Sequence, residues 1–310
     1  MTFAAKPILV IGGSNKDIHS RTYGTLHHLS DSHPGQICEA DGGVARNIAE
    51  ALARLKLPVS FITALGTDEA GQKIADNLIG HDVDISASLI CDDRQTDQFL
   101  TVHDKDGELI IAINQMSAIE AITADYVTAH ESMIGDHDYV ICDCNLSEET
   151  LAKIAQVTKN AYLAIDGVSG AKVTRIISLL DKIDLLKLSH YEACILTGCP
   201  KETTPTMLIQ TLCNRGAGQI LLSDGPNGFY INEGDHIHHI KAANIKAEAV
   251  SGAGDCLMAG FVYGLYTGCD IALSASYGRR LAELSMKTIS ATNAFMTVQA
   301  LATQPYDQDK

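Results

Sequence analysis

Short apolar runs rich in β-branched residues alternate along this chain with segments whose apolar residues recur at helical spacing. Strands that are apolar throughout and separated by amphipathic helices are typical of a mostly parallel sheet covered by helices on both faces. The predicted strands are residues 8–11, 59–63, 139–142, 162–165, 185–188 and 219–222. The predicted helices are residues 45–55, 71–79, 148–158 and 206–213, with two more between residues 254 and 289. The pattern therefore predicts the α/β class.

One section, residues 84–113, breaks this alternation. Its apolar runs are residues 85–91, 98–103 and 109–113. Between the last two, Asp104-Lys105-Asp106-Gly107 is typical of a hairpin turn. We expect an antiparallel excursion from the main sheet, to which residues 16–40 add further strands. Such an excursion could form a lid over the carboxyl ends of the parallel strands, a dimer interface, or both. No linker is evident, so we expect a single domain over residues 1–310.

The composition narrows the class of partner. The chain has 310 residues, of which 46% are hydrophobic and 20% charged, as is ordinary for a globular protein. Its formal net charge of −15 argues against nucleic acid, because binding to a phosphate backbone needs a basic face. No apolar stretch approaches the length that spans a bilayer, so we expect no membrane partner. Nine scattered cysteines predict free thiols in a reducing compartment, and hence a cytoplasmic protein.

Residues 251–255, Ser-Gly-Ala-Gly-Asp, form the most informative motif of the chain. The apolar run that follows predicts a buried helix, so the amides of Gly252, Ala253 and Gly254 would lie at a helix N-terminus. Such an end presents free N–H donors and the positive pole of the helix dipole to an anion. Asp255 could then accept a proton from a hydroxyl that attacks a bound phosphate. A plain glycine-rich turn with an acidic first-turn residue fits this pentapeptide equally well.

A second glycine turn, Gly42-Gly43, opens the first predicted helix, and Asn47 falls one turn into that helix. Paired glycines permit a ligand to approach the backbone closely. Asn15 and Asp17 alternate after the first strand, and a carboxylate beside an amide suits a vicinal diol such as that of ribose. A plain helix start and ordinary turn formers would give the same pattern. The chain has no Gly-Lys dipeptide and no G-x-G-x-x-G after a strand, so two familiar nucleotide-binding fingerprints are absent.

Together the two turns carry a family resemblance. Gly42-Gly43, with Asn47, Ala49 and Leu52-Ala53 behind it, resembles the N-terminal signature of the PfkB (ribokinase-like) sugar and nucleoside kinases. Residues 250–255 resemble their C-terminal signature. The resemblance covers essentially the whole chain. It implies a ribokinase-like three-layer α/β/α sandwich with a mostly parallel central sheet, and a small lid made by the strand excursion. It also implies ATP and Mg²⁺ as cofactors and a homodimer formed through the lid.

Four further segments resemble pseudouridine kinases, a branch of the same family. They are residues 41–49, 111–116, 143–149, and 166–169 together with Lys172. This resemblance implies ATP-dependent phosphorylation of the 5′-hydroxyl of a nucleoside, with pseudouridine as the substrate. Two alternatives stay open: a family kinase for another ribosyl substrate, such as uridine, another nucleoside or ribose, and a non-catalytic member that binds a nucleoside.

The resemblance also implies a role for each matching residue. Asp255 would be the base that activates the attacking hydroxyl, and the amides of Gly252, Ala253 and Gly254 would form the anion hole. The implied substrate contacts are Asn15, Asp17, Gly42, Gly43 and Asn47 on the ribose side, and Thr96, Asn114, Asp166 and Lys172 on the base side. The implied ATP contacts are Lys187, Ser223, Gly225, Gly228 and Asn293. Glu192 would reach the metal through water.

Four positions depart from the family pattern. Ser189 stands where the family's Asn-x-x-Glu motif has asparagine, so metal handling could be weaker or rely on water. Ala249 stands where an acidic or amide residue commonly supports a monovalent cation, which leaves the use of K⁺ open. Gly167 stands where proline is frequent, and Lys56 stands where the first signature usually ends in glycine.

Overall fold

Strands and helices alternate in the computed structural model, which describes residues 6–25, 28, 30–243, 245 and 251–302. In chain order the strands are β1 Ile8–Ile11, β2 Asn15–Thr22, β3 Gly35–Gly42, β4 Val59–Ile62, β5 Ala64–Gly66, β6 Val83–Asp84, β7 Leu89–Cys91, β8 Asp97–His103, β9 Leu109–Gln115, β10 Tyr139–Asp143, β11 Tyr162–Asp166, β12 Leu185–Ser189, β13 Gln219–Ser223, β14 Phe229–Glu233 and β15 His236–Ile240. The helices are α1 Val44–Arg54, α2 Glu69–Gly80, α3 Ala124–Ala129, α4 Glu131–Gly135, α5 Glu148–Val157, α6 His190–Thr197, α7 Pro205–Asn214, α8 Ala253–Tyr266, α9 Ile271–Ser285 and α10 Val298–Leu301. Further 3₁₀ helices cover Ile119–Ala121, Val173–Lys182 and Gly225–Asn227.

These bounds confirm the pattern of alternating elements. Each predicted strand of the central sheet is present, with ends within one residue of the prediction. The four predicted helices between residues 45 and 213 begin and end within two residues of their expected bounds. The last predicted section holds α8 and α9, separated at residues 267–270. These elements can be predicted from the sequence because each of them buries an unbroken apolar face.

The central sheet has nine strands in the order β15-β14-β13-β12-β11-β10-β1-β4-β6. Neighbours from β6 to β13 pair in parallel, while β14 and β15 add an antiparallel edge. One apolar core packs α3 to α7 on one face, and a second packs α1, α2, α8, α9 and α10 on the other. This is the expected three-layer α/β/α sandwich. Within the described part of the chain, no helix is both long enough and apolar enough to cross a membrane.

Parallel pairing brings the carboxyl ends of neighbouring strands to one edge. The register places Asp143 of β10 beside Asp166 of β11, and Asp166 beside Lys187 of β12. Gly12 and Gly13 follow β1, the strand on the other side of β10. Charged side chains and glycines therefore meet at this edge, where open α/β sheets bind ligands.

A four-stranded lid sheet lies apart from the central sheet, in the order β3-β2-β8-β9. The expected turn at residues 104–107 joins β8 to β9, with the Gly107 amide donating to the Asp104 carbonyl at 3.1 Å. The predicted lid strand over residues 85–91 is wrong. The Asp84 carboxylate accepts from the Ser86 amide and turns the chain there, so that β6 pairs with β4 and β7 pairs with β5.

The lid has two chemically different faces. Its register aligns Asp17 with Phe99, and Phe99 with Asn114, so these three side chains point to one face. The other face carries Ile111 and Ile113, which are exposed. The first face therefore offers polar groups at the base of the lid, and the second offers apolar surface.

Candidate active site

Helix α8 begins at the Ser-Gly-Ala-Gly-Asp motif. Gly252 precedes its first residue with φ 78°, and no side chain caps the helix there. A Cβ on Gly252 would lie 2.2 Å from the Cβ of Ala291, so both the backbone conformation and the space require glycine. Among the described residues, none accepts a hydrogen bond from the Ala253 or Gly254 amide. These donors, at the positive end of a buried helix, are suited to bind an anion.

Asp255 lies in the first turn of α8 and is buried. Its Oδ2 accepts a hydrogen bond from Asn47 Nδ2 at 2.7 Å. Burial raises the pKa of Asp255 to about 7, and the negative charge of Asp166 adds to the effect, while Lys187 and the Asn47 hydrogen bond oppose it. A carboxylate that titrates near neutral pH, beside an anion site, is suited to accept a proton from an attacking hydroxyl.

Lys187 places a buried cation beside the same helix end. Its Nζ pairs with Asp166 Oδ2 at 2.9 Å, and a Cβ on Gly254 would lie only 2.5 Å from Nζ. Burial alone would lower the pKa of Lys187, but the carboxylates of Asp166, Glu192 and Asp255 outweigh it and raise the pKa. The lysine therefore stays protonated and adds a positive charge to the N–H donors of α8.

The start of α1 faces this site from the other glycine turn. Gly43 has φ 101°, and a Cβ there would lie 2.5 Å from the Gly13 carbonyl oxygen. The amides of Gly13 and Ala45 both donate to Asp143 Oδ2, at 3.0 Å each. Asp143 was not among the predicted site residues. The signal that could have found it is its place at the carboxyl end of a buried strand.

The residues predicted to hold the ribose come together beneath the lid. Asn15 Nδ2 donates to Asp17 Oδ1 at 2.5 Å. A Cβ on Gly42 would lie 2.3 Å from Asp17 Cγ, so glycine at this position gives the carboxylate its place. Burial raises the pKa of Asp17, while Asn15 and His19 lower it. A carboxylate and an amide side by side can bind two neighbouring hydroxyls.

A cavity of about 520 Å³ lies between the end of β9 and the loop after β10. Lys172 and Asn114, two of the predicted base-side residues, line it together with Asn145. Lys172 Nζ donates to Asn145 Oδ1 at 2.5 Å. The Arg175 guanidinium donates to the carbonyls of residues 144, 145 and 146 and fixes the loop that carries Asn145. Sequence reasoning assigned no role to Asn145, although it lies in a segment that resembles pseudouridine kinases.

Two residues predicted for the base side lie elsewhere. Thr96 is fully buried at the foot of the lid, where its hydroxyl donates to Asp68 Oδ1 at 2.6 Å and accepts from the Gly66 amide. Asp166 is also fully buried, and its carboxylate accepts from the Val168 amide and pairs with Lys187. These contacts use the polar atoms of Thr96 at the foot of the lid and hold Asp166 against Lys187, and the base-side role of both residues stays a prediction.

The predicted ATP contacts are spread over two loops. Ser223 ends β13, and its hydroxyl donates to the Leu188 carbonyl at 3.3 Å. Gly225 and Gly228 flank the 3₁₀ turn that follows, and a Cβ on Gly228 would lie 2.0 Å from the Ile240 carbonyl oxygen. This turn presents backbone groups next to β12, the strand that carries Lys187.

Asn293 has a structural role in the loop after α9. Its Nδ2 donates to the Leu284 carbonyl and to Thr288 Oγ1, while its Oδ1 accepts from the Phe295 amide. The side chain is buried and its amide is already used on both sides. It therefore organises the loop after α9, and its assignment to the adenine pocket stays a prediction.

One departure from the family pattern, Ser189, lies at the start of α6. Ser189 Oγ accepts from the Glu192 amide, and Glu192 Oε2 accepts from the Ser189 amide at 2.8 Å, a reciprocal capping box. Serine therefore caps this helix, a role for which serine and asparagine are about equally suited. Ala249 lies outside the described residues. Within the described part of the chain, no group of three or more His, Cys, Asp or Glu side chains could hold a metal ion.

The chain resembles kinases along nearly its whole length. The model of the family described as pfkB family carbohydrate kinase matches residues 5–297. Pseudouridine kinase of Escherichia coli (strain K12) is 30% identical over 297 residues, covering 94% of each chain. Ribokinase of Lactococcus lactis is 23% identical, covering 92% of each. The structure of Arabidopsis thaliana ribokinase complexed with ribose and ATP superposes with a TM-score of 0.83 at 21% identity, covering 97% of this chain and 100% of that one.

These matches confirm the expected family and the ribokinase-like fold. The family match spans both glycine turns and the lid. The protein is a member of the pfkB family of carbohydrate kinases, and hence a phosphotransferase.

Proposed function

We propose that the protein transfers the γ-phosphoryl group of ATP to the 5′-hydroxyl of a nucleoside, and that the nucleoside is pseudouridine. The observation that carries the proposal is the position of Asp255, a buried carboxylate one turn into an uncapped helix start. The cavity of about 520 Å³ that Asn114, Asn145 and Lys172 line supports a substrate larger than a pentose. The 30% identical relative is named pseudouridine kinase, which favours this nucleoside.

In the proposed reaction, Asn15, Asp17 and the Gly43 backbone hold the ribose hydroxyls. The 5′-hydroxyl loses its proton to Asp255 and forms a bond to the γ-phosphorus, while the bond from that phosphorus to the bridging oxygen of ADP breaks. The amides of α8 and the ammonium of Lys187 stabilise the charge on the transferring group. Positioning and electrostatics supply most of the rate in such transfers.

The donor set fits a magnesium ion that arrives with ATP. Mg²⁺ keeps several waters and is commonly bound through one or two carboxylates together with substrate phosphates. Glu192 and Asp166 lie close enough to Lys187 to raise its pKa, so carboxylates are present on the phosphate side. When bound, the ion would neutralise charge on the phosphate oxygens.

The base side of the cavity supports a nucleoside that can make hydrogen bonds on several edges. Lys172 and Asn114 offer N–H donors, and the amide oxygen of Asn114 offers an acceptor. Pseudouridine is joined to ribose through carbon, so its ring keeps an N–H that uridine uses in its glycosidic bond. We assign this N–H to Asn114, which stands on the polar face of the lid.

The test is ADP release with Mg-ATP against pseudouridine, uridine, cytidine, adenosine, ribose and fructose. Turnover on pseudouridine well above uridine is the expected result, and Asp255→Asn from the same preparation is the control for contaminating kinases. Preference for another nucleoside or for ribose would reject the base assignment and keep the kinase. Binding of nucleoside with no turnover on any substrate would favour the non-catalytic alternative.

We further propose a homodimer through the outer face of the lid. Ile37, Ile111 and Ile113 are exposed there by 72%, 49% and 55%, and a contiguous apolar patch commonly marks an interface. Light scattering should give twice the chain mass. Replacing Ile111 and Ile113 together by Lys should halve it, and a monomeric parent protein would reject the dimer.

A further inference from the structure

A fully buried arginine stands one residue before Asn47 in the active-site helix α1. Arg46 is 1% exposed in a helix otherwise made largely of small apolar residues. Its Nη1 donates to Asn47 Oδ1 at 2.7 Å and to the Asp41 carbonyl at 2.9 Å. Its Nη2 contacts Glu50 and lies 3.4 Å from Thr292 Oγ1. The guanidinium therefore joins the ribose-side turn, the helix and the loop after α9.

The contact with Asn47 decides which way its amide points. Arginine has only donors and does not lose its proton in proteins, so the atom that faces it must be the amide oxygen. The Asn47 nitrogen is then directed at Asp255 Oδ2, at 2.7 Å. The reverse orientation would set two donors against each other at Arg46 and an amide oxygen against the Asp255 carboxylate.

The charge of Arg46 is balanced where it lies. Burial would raise the pKa of Glu50, but Arg46 and Arg54 outweigh it and lower the pKa, so Glu50 stays ionised. Arg54 Nε donates to Glu50 Oε1 at 2.7 Å from the opposite side. Arg54 has no contact with Asn47. The two arginines thus share one carboxylate, and only one of them touches the active-site amide.

We propose that Arg46 is a positioning residue for the phosphoryl transfer: it holds the Asn47 amide so that its nitrogen donates to Asp255 and orients the carboxylate for the incoming proton. The inference rests on the proposed function. Arg46 contacts no reacting atom and acts through Asn47. Asp255 also faces charged groups from the neighbouring strands, namely Asp143, Asp166 and Lys187, and these are unchanged when Arg46 is replaced.

The test compares Arg46→Gln with Arg54→Gln, since both remove an ion pair to Glu50 and only the first frees the Asn47 amide. The readout is titration of the Asp255 carboxyl by NMR with ¹³C-labelled aspartate, assigned by its loss in Asp255→Asn. A lost hydrogen bond of ordinary strength should raise the Asp255 pKa by about 0.5–1 unit in Arg46→Gln. Arg54→Gln should leave that pKa within about 0.2 unit of the parent value.

A second comparison separates the amide from a through-space effect of the guanidinium charge. In an Asn47→Ala background, Arg46→Gln should no longer move the Asp255 pKa, because the hydrogen bonds that link Arg46 through Asn47 to Asp255 are already lost. An equal shift in both backgrounds, or no shift in Arg46→Gln alone, would overturn the proposal. If Arg46→Gln does not fold, the triple variant Arg46→Gln/Glu50→Gln/Arg54→Gln, which removes all three charges of this group, carries the same measurement against Glu50→Gln/Arg54→Gln.

The titration needs no substrate, so it separates this inference from the proposed function. A shifted Asp255 pKa supports the link from Arg46 through Asn47 to Asp255 even if no substrate of the panel is turned over. With an active enzyme, the acidic limb of the kcat/KM profile should move with the NMR value. A limb that stays in place while kcat falls would assign Arg46 to stability alone and would also overturn the proposal.

Discussion

Two helices start at glycine turns on the same edge of the sheet, yet their free N–H groups meet different partners. Each start has a glycine with positive φ and no capping side chain, Gly43 for α1 and Gly252 for α8. At α1, Asp143 accepts from the Ala45 amide and from Gly13. At α8, no described residue accepts from the first amides. The first helix start is completed by the protein's own carboxylate, and the second has space for a ligand's anion.

This difference shows why a glycine turn before a helix does not by itself indicate an anion site. The amides are the same in both places, and the outcome depends on whether a side chain from another strand fills the position. Asp143 lies in β10 and Lys187 lies in β12. Both strands are far along the chain from either glycine turn. The carboxylate at one turn accepts from the protein's own amides, while the cation at the other adds positive charge beside free donors, as the proposed phosphate site needs.

The largest expected effect is on turnover at the open helix start. Asp255→Asn should lower kcat by roughly 10²–10⁴, the range of general-base effects, because the amide cannot accept the proton of the hydroxyl. Calorimetry should show nucleoside still bound, since the ribose and base contacts are untouched. Near-parental kcat in this variant would remove Asp255 from the role of base.

The next effect is a pH dependence with a defined sign. Asp255 must be ionised to accept a proton, and its pKa is about 7 in the folded protein without ligand. The kcat/KM of the free enzyme should therefore fall about tenfold for each pH unit below that value. A profile flat from pH 8 to pH 5 would show that no such group controls the reaction. Asp255→Asn, with its residual activity, should lack this limb.

At the closed helix start, the same substitution should act on stability. Asp143 accepts from four N–H groups: two from the turns, and the amide and side-chain nitrogens of Asn145. Asp143→Asn would set an NH₂ against one of these donors, and we expect a loss of about 1–3 kcal/mol in the free energy of unfolding. Urea denaturation measures this. An unchanged midpoint would mean that water replaces the lost contact.

The smallest effect is a gain in stability, opposite in sign to the loss expected at Asp143. It would test the comparison of the two helix starts most sharply. Because burial raises the folded-state pKa of Asp255, its stabilising contribution is present below the unfolded pKa and is lost as the pH rises through about 7. Asp255→Asn should therefore be more stable than the parent at pH 8, by on the order of 1 kcal/mol, with the gain shrinking toward pH 5. Equal melting temperatures at pH 8 would contradict this. Nucleotide must be absent from the samples.

The pattern of apolar residues determined most of the architecture. Runs such as Ile8–Ile11 and Tyr139–Asp143 are buried on both faces, so their composition identifies them without any partner. The two glycine turns and Asp255 were also recognisable, since glycine with positive φ leaves few sequence alternatives. The run over residues 85–91 misled because apolar residues predict burial and say nothing about which sheet a short strand joins.

Only the tertiary structure determined which groups of the site form hydrogen bonds with one another. The sequence could not show that the side chain of Thr96 bonds to Asp68 at the foot of the lid, or that Asn293 bonds within the loop after α9. Nor could it show that Asp143 accepts from the amide at the start of α1. Nor could it show that Arg46 holds the amide of Asn47. Local sequence specifies which groups are available and the backbone they stand on. Which donor meets which acceptor depends on contacts between strands and helices far apart in the chain, where burial makes each hydrogen bond and each charge matter most.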